Sequence, residues 1–139
     1  MPLGLAILLL QASTGLPAPL DIEGRWQIST EQPIVKIAPC GEYLCAKVER
    51  LNRPALGEAK DRFNPDPKLR GRPLSGVPVL FDLKVEGDFW RGKVYAPAVG
   101  QVGDTLVQRD GDRLKVGRCV PADAGPNLIC LWNYWERAR

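Results

Sequence analysis

Between Asp61 and Arg72 the chain reads DRFNPDPKLRGR, a stretch dense in side chains able to do chemistry. Asp61, Asn64 and Asp66 place three oxygen donors in one short loop, the kind of set that calcium takes. The spacing is not that of an EF-hand, no bidentate glutamate follows, and Lys60 and Arg62 interrupt the negative charge. Asx turns capping a loop whose backbone is fixed by Pro65 and Pro67 explain the same residues more simply, so no metal site is expected. Arg70 and Arg72 come next. Two guanidinium groups suit bidentate recognition of a carboxylate or phosphate. They also suit a plainer task, bonding loop carbonyls or pairing with Asp61 and Asp66 to hold a long loop down. The plainer task is preferred, because charges on solvated loops are common and exposed ion pairs contribute little.

Other chemistry is scarce. The chain contains no histidine, which excludes Ser-His and Cys-His catalysis and His-ligated metals. Its four cysteines, Cys40, Cys45, Cys119 and Cys130, fall in two closely spaced pairs, which favours a disulfide framework. Four cysteines permit three connectivities. The local pairs Cys40–Cys45 and Cys119–Cys130 are the simplest, each stapling one hairpin. A four-thiolate zinc site competes, but neither spacing is C-x-x-C. Alternation gives Cys45 the parity of Lys47 and Glu49, which predicts that it faces outward near a rim. Oxidised cysteines are no nucleophiles, and carboxylates such as Asp61, Asp66 and Asp82 would be the only acid–base groups left. Nothing in the sequence brings two of them together. No enzymatic activity and no cofactor are expected.

These residues sit in a chain of 139, the length of one domain. Nineteen basic against sixteen acidic residues leave +3, too little to argue for a nucleic-acid partner. The charge is uneven: Lys47 to Arg72 holds eight basic and four acidic residues, a local +4. No charged residue precedes Asp21, and Leu3 to Leu10 reads LGLAILLL, too short to cross a bilayer as a helix. The run matches the apolar region of a secretory signal, followed by small and turn-forming residues to Ala18. A buried N-terminal strand is the alternative. Residues 1–18 are therefore expected to be a signal peptide and 19–139 a single domain, periplasmic or secreted and not transmembrane once cleaved.

Past Asp21 the apolar period is two. Leu44, Ala46 and Val48 alternate with Cys45, Lys47 and Glu49, and 82–86 and 113–116 do the same. Glycine turns at 41, 87 and 111 lie between, and thirteen prolines leave little room for helices. The pattern predicts strands over 24–30, 33–39, 43–51, 77–86, 89–95, 104–109, 113–120 and 128–137. Eight short-linked strands must remove their edges, and an up-and-down, mostly antiparallel barrel of lipocalin or calycin type does so with the fewest crossovers. A two-sheet sandwich is the alternative. The single long connection, Asn52 to Gly76, is predicted to run over the surface or across one end.

The motifs allow a comparison. Gly24-Arg25-Trp26, Ile37-Ala38-Pro39-Cys40-Gly41, Leu44-Cys45, Asp61-Arg62-Phe63-Asn64-Pro65-Asp66-Pro67, Leu69-Arg70-Gly71-Arg72-Pro73-Leu74-Ser75-Gly76, Trp90-Arg91-Gly92-Lys93-Val94-Tyr95, Cys119 and Trp135-Glu136-Arg137 run from one end of the mature chain to the other. This set resembles the bacterial family of unknown function numbered 2147, small exported proteins with a lipocalin-like look. The chain departs from it in three places, with Ala96-Pro97-Ala98-Val99-Gly100-Gln101 where a polar turn is usual, Ala46 where glycine is frequent, and no basic residue ahead of the apolar run that starts at Leu3. The resemblance implies that the first and last strands adjoin and that Arg137 lies across Trp26 at the closed end, with Asp61, Asn64, Asp66 and Trp135 as structural motif residues. For function it implies only an envelope protein, and two readings stay open. One is a carrier of a small apolar or anionic amphipathic ligand, with Arg70, Arg72, Trp90 and Tyr95 the candidate contacts. The other is a packed barrel acting as a structural or protein-binding module. An open or a filled interior separates them. Oligomeric state is not legible.

Overall fold

The computed structural model describes residues 4, 16–29, 33–50 and 59–138. The expected signal peptide falls almost wholly outside these residues, as do residue 30 of the first predicted strand and residues 51–58, where the third strand was expected to end and the long connection to begin.

Eight strands form: β1 (Gly24–Gln27), β2 (Ile34–Cys40), β3 (Tyr43–Arg50), β4 (Pro78–Glu86), β5 (Phe89–Ala96), β6 (Gln101–Asp110), β7 (Arg113–Pro121) and β8 (Leu128–Arg137). Each pairs with its neighbours in sequence, and β1 pairs with β8 through Trp26↔Arg137 and Gln27↔Glu136, closing the barrel. All eight pairings are antiparallel. The up-and-down barrel expected from the alternation is the fold, and among the described residues the only helix is two single turns, Ala18–Leu20 and Pro67–Leu69.

Two boundaries differ from the alternation pattern by more than one residue. β1 ends at Gln27, short of residue 30. β6 begins at Gln101, three residues early, because the turn after β5 is so tight that Gln101, Val102 and Gly103 pair with Ala96, Tyr95 and Val94. In that turn the Val99 and Gly100 amides both donate to the Ala96 carbonyl, at 3.2 and 2.8 Å. Backbone amides do there what polar side chains were expected to do.

The inward-facing residues follow from the registers. Trp26, Val35, Ala46, Leu80, Leu83, Trp90, Val107 and Leu114 are among those buried in one core cluster. One end of the barrel is plugged. Residues 18–23 pass across it as a strap, and Leu20 and Ile22 drop into the core. Trp26 donates from Nε1 to the Ile22 carbonyl at 2.9 Å, and Trp90 donates to the Leu20 carbonyl at 2.8 Å. Each indole thus buries its ring and satisfies its one polar atom on the strap. Arg137 lies 4.3 Å from the centre of the Trp26 ring and donates to the Glu23 carbonyl at 3.1 Å. Arg109 stands 5.9 Å from the same ring and reaches Asp21.

Alternation breaks in β4. Phe81 opposes Lys93 and Lys84 opposes Arg91, so one extra residue is accommodated on the β4 side. The bulge contains Asp82, whose φ of 53° is the positive value that aspartate tolerates better than most residues. The kink lays the β4 backbone on Gly92: a Cβ there would stand 2.6 Å from the Phe81 carbonyl oxygen and 2.9 Å from that of Asp82. Asp82 therefore shapes a strand.

Cys40 pairs with Cys45 and Cys119 with Cys130, the two local connectivities, with Cα atoms 5.7 and 4.0 Å apart. Cys45 is nevertheless buried, against the outward exposure its parity suggested. Its sulfur is bonded to Cys40 on the facing strand, beside the turn of the same hairpin, and the bridge shields it from solvent.

Gly92 yields a stability test. Gly92→Ala is expected to destabilise the fold by about 1–3 kcal/mol, the usual cost of forcing atoms into a packed site. Gly103→Ala, two strand positions away across the β5–β6 pair and with no atom within 4 Å of its added Cβ, is expected to be neutral or slightly stabilising. Urea denaturation of the two variants beside the parent measures the contrast.

Candidate functional site

The barrel interior changes character along its axis. The plugged half holds both Trp26 and Trp90, whereas the inward residues of the other half are Ile28, Val48, Val79, Val94 and Val116, with Trp135 at the boundary. Valines do not fill the space that tryptophans fill, and a cavity of about 1120 Å³ remains. Its mouth lies at the end where β1–β2, β3–β4, β5–β6 and β7–β8 are connected. Its rim comprises Lys60, Arg62, Phe63, Arg70 and Leu74 of the long connection, Ala96–Ala98 of the tight turn, and Arg118, Asn133 and Tyr134 of β7 and β8. Among the described residues four side chains of this lining are cationic, Lys60, Arg62, Arg70 and Arg118, and none is a carboxylate. Among the described residues none of the four takes part in an ion pair.

The long connection is held by one buried carboxylate. Backbone bonds first join the two sides of its described part: Asp61 N–H donates to the Arg72 carbonyl at 3.0 Å and Leu74 N–H to the Ala59 carbonyl at 2.9 Å. Asp61 is 1% exposed, and its oxygens accept from the Tyr95 hydroxyl, from Asn64 Nδ2 at 2.9 Å, and from Arg72 Nε and Nη2, both at 2.9 Å. Asn64 Oδ1 in turn accepts from the Asp66 amide at 2.8 Å, and Asp66 Oδ1 from the Lys68 amide at 3.0 Å, the Asx turns foreseen for this loop. Arg70 donates from Nε to the Asn64 carbonyl at 2.9 Å. Gly100 lies against Phe63 so closely that any Cβ there would overlap the Phe63 carbonyl, which locks the tight turn to the loop.

This network fixes the charge states. Burial alone pushes the Asp61 carboxyl up, but the hydrogen bonds from Tyr95, Asn64 and Arg72 and the Arg72 charge reverse it, so its pKa lies below the usual carboxylate value. Burial, and then the bond and charge of Asp61, push the Tyr95 phenol up to about 12. Asp61 is thus an anion at neutral pH, with its acceptor positions used from within. Among the described residues no group of three or more acidic, cysteine or histidine side chains converges on a point where a metal ion would fit.

The candidate ligand contacts separate accordingly. Arg70 lines the cavity, and the hydrogen bond its guanidinium makes among the described residues, to the Asn64 carbonyl, uses Nε alone. Arg72 does not: it is spent on Asp61 and lines a recess on the outer side of the barrel instead. Tyr95 touches both spaces, but its hydroxyl belongs to Asp61. Trp90 is in the plug, 8% exposed, outside the cavity lining. Arg118, Lys60 and Arg62 were not singled out from the sequence. Arg118 carried a usable signal, since it shares the inward parity of Leu114 and Val116 on β7, where a charge can only face a cavity or a mouth.

A closed eight-stranded antiparallel barrel, plugged by a strap at one end and hollow at the other, is a lipocalin-like architecture. The chain belongs to the bacterial family described as "Uncharacterized protein conserved in bacteria (DUF2147)", which matches residues 24–137. Among solved structures it is similar to protein HP1028 of Helicobacter pylori, described as belonging to the lipocalin family, at 23% identity and a TM-score of 0.63 over 90% of this chain and 85% of that one. The likeness is one of fold. No curated protein matches the chain.

The Asp61 network leads to a pH dependence. A carboxyl with a lowered folded pKa contributes stability that is present above its unfolded value near 4 and is lost as pH falls through the folded one. A phenol with a raised folded pKa contributes stability that is present below about 10 and is lost as pH climbs towards 12. Tyr95→Phe is expected to cost about 1–3 kcal/mol at neutral pH and to flatten the alkaline decline, while Asp61→Asn flattens the acid one. Thermal melts from pH 3 to 11 on the parent and both variants check the assignment.

Proposed function

We propose that this protein is a non-catalytic envelope carrier whose barrel takes an anionic amphiphile, apolar chain inward and acidic head group at the mouth. The observation that carries the reading is the lining: an apolar cavity of about 1120 Å³ whose charged side chains, among the described residues, are Lys60, Arg62, Arg70 and Arg118. Drug-sized pockets run to roughly 300–1,000 Å³, so the space suffices for a small lipid-like molecule. A neutral ligand gives four cations at one mouth no counter-charge, whereas a carboxylate or phosphate gives each a partner. A barrel acting only through its outer surface has no use for an interior left unfilled.

The chain's other features favour a carrier over an enzyme. Histidine is absent, all four cysteines are in bridges, and the one carboxylate buried among the described residues is saturated by its own loop and Tyr95. The two disulfides suit an oxidising compartment, periplasmic or extracellular, and among the described residues no helix is long and apolar enough to cross a membrane.

The test is displacement of the anionic fluorophore 1-anilinonaphthalene-8-sulfonate by palmitate, with hexadecanol as the uncharged counterpart. Palmitate is expected to compete at least tenfold better than the alcohol. Arg70→Ala and Arg118→Ala should each weaken it about 5–10-fold, and Arg72→Ala should act only through stability. Val116→Trp, which fills the cavity, should abolish binding. Equal affinity for acid and alcohol, or binding that survives the filled cavity, would refute the reading.

A further inference from the structure

The inner face of the β7–β8 hairpin does not stop at the mouth. Val116, its opposite number Asn133 and Arg118 line the cavity, Leu131 stands opposite Arg118, and two residues further along each strand Val120 stands opposite Ile129. Side chains two apart on a strand share a face. Arg118, Leu131, Val120 and Ile129 therefore continue the cavity wall into solvent. Leu131 is 79% exposed, Ile129 62% and Val120 60%, among the most exposed large apolar side chains of the described residues. The Cys119–Cys130 bridge staples the hairpin through its opposite face. Across the mouth, Phe63 and Val99 are 52% and 56% exposed, beside Arg62, Lys60 and Arg70.

We propose that this end of the barrel docks onto an anionic lipid bilayer, with the Leu131–Val120–Ile129 rib entering the acyl boundary and the cations of the mouth on the head groups. Two physical arguments select that occupant. Charge is complementary: four basic side chains ring the mouth, and the stretch from Lys47 to Arg72 carries a local +4. The shape is wrong for a stable protein interface, since three aliphatic side chains on a narrow ribbon fall well short of the ~800 Å² per partner that such interfaces bury, and the rib itself holds no aromatic anchor. A small apolar wedge flanked by cations is what an anionic membrane surface holds. The rib is continuous with the cavity wall, so docking sets the mouth on the bilayer. The docking itself does not require a ligand in the barrel.

Co-sedimentation of the purified protein with vesicles tests it, using phosphatidylcholine alone and phosphatidylcholine with 30% phosphatidylglycerol. Partitioning onto the anionic vesicles is expected, at least tenfold above the neutral ones, and weakened by 0.5 M salt. Leu131→Asp and Ile129→Asp should each lower the partition coefficient about tenfold or more. Arg118→Gln should lower it about fivefold. Leu131→Trp should raise it and bring a blue shift of its emission, a gain that no misfolded variant mimics. Tyr43→Asp, the same change of charge at the plugged end, should have no effect. The proposal is overturned by no sedimentation with anionic vesicles, by Leu131→Asp binding as the parent does, or by Leu131→Asp abolishing a concentration-dependent dimer, which would show the rib covered by a second copy. Because empty protein is used, a carrier that fails to bind palmitate yet sediments normally refutes only the reading of the cavity.

Discussion

Everything in this barrel is referred to one buried indole. Trp26 is wholly excluded from solvent, its only polar atom bonded to the Ile22 carbonyl and the Arg137 guanidinium set against its ring. A guanidinium over an indole contributes about 0.5–2 kcal/mol and more when water is excluded, but the geometric effect is larger than the energetic one. Trp26 is on the first strand and Arg137 on the last, and they face each other in the pairing that closes the sheet. Closure removes both edges at once. The same indole draws the strap down onto the end of the barrel, and so decides which end is solid.

The cavity is the complement of that plug. Side-chain volume is spent at one end, on Trp26, Trp90, Leu83 and Leu114, and withheld at the other, where valines and Gly103 face inward. Because an eight-stranded barrel is just wide enough to be filled by side chains, small residues over half its length leave a hollow rather than a narrower barrel. The hydrogen-bonded wall cannot collapse to fill it, since strand spacing is set by the backbone ladder.

A second anchor, Asp61, serves the open end as Trp26 serves the closed one. It gathers Asn64, Arg72 and Tyr95 onto one carboxylate, buried and fully partnered. An ion left unpaired there would be costly, so the loop has one arrangement and not several. The result is that Arg70 and its neighbours Lys60 and Arg62 are presented to the mouth by a loop that is itself rigidly tied. Within the densest run of chemically capable side chains, Asp61, Asn64 and Arg72 are thus architecture, while Arg62 and Arg70 of the same run line the cavity.

Strand number, strand order and both disulfides were legible in the sequence because they rest on local rules: alternation at period two, glycine turns at 41, 87 and 111, and cysteines close enough that only neighbouring strands need meet. The β4 bulge at Asp82 and the turn held by the Ala96 carbonyl escaped it, since both depend on backbone geometry that no side-chain pattern encodes. Which of two adjacent arginines faces the cavity was beyond sequence altogether. Arg70 and Arg72 are the same residue type two positions apart, and only the place of Asp61 in the folded loop assigns one to a carboxylate and leaves the other at the mouth. The same holds for Trp90 and Trp135, identical in type and alike in burial, one in the plug and one on the cavity wall. Local sequence determines the strands; the closing of the barrel determines what each inward side chain meets, because the partners across an interior come from strands far apart in the chain.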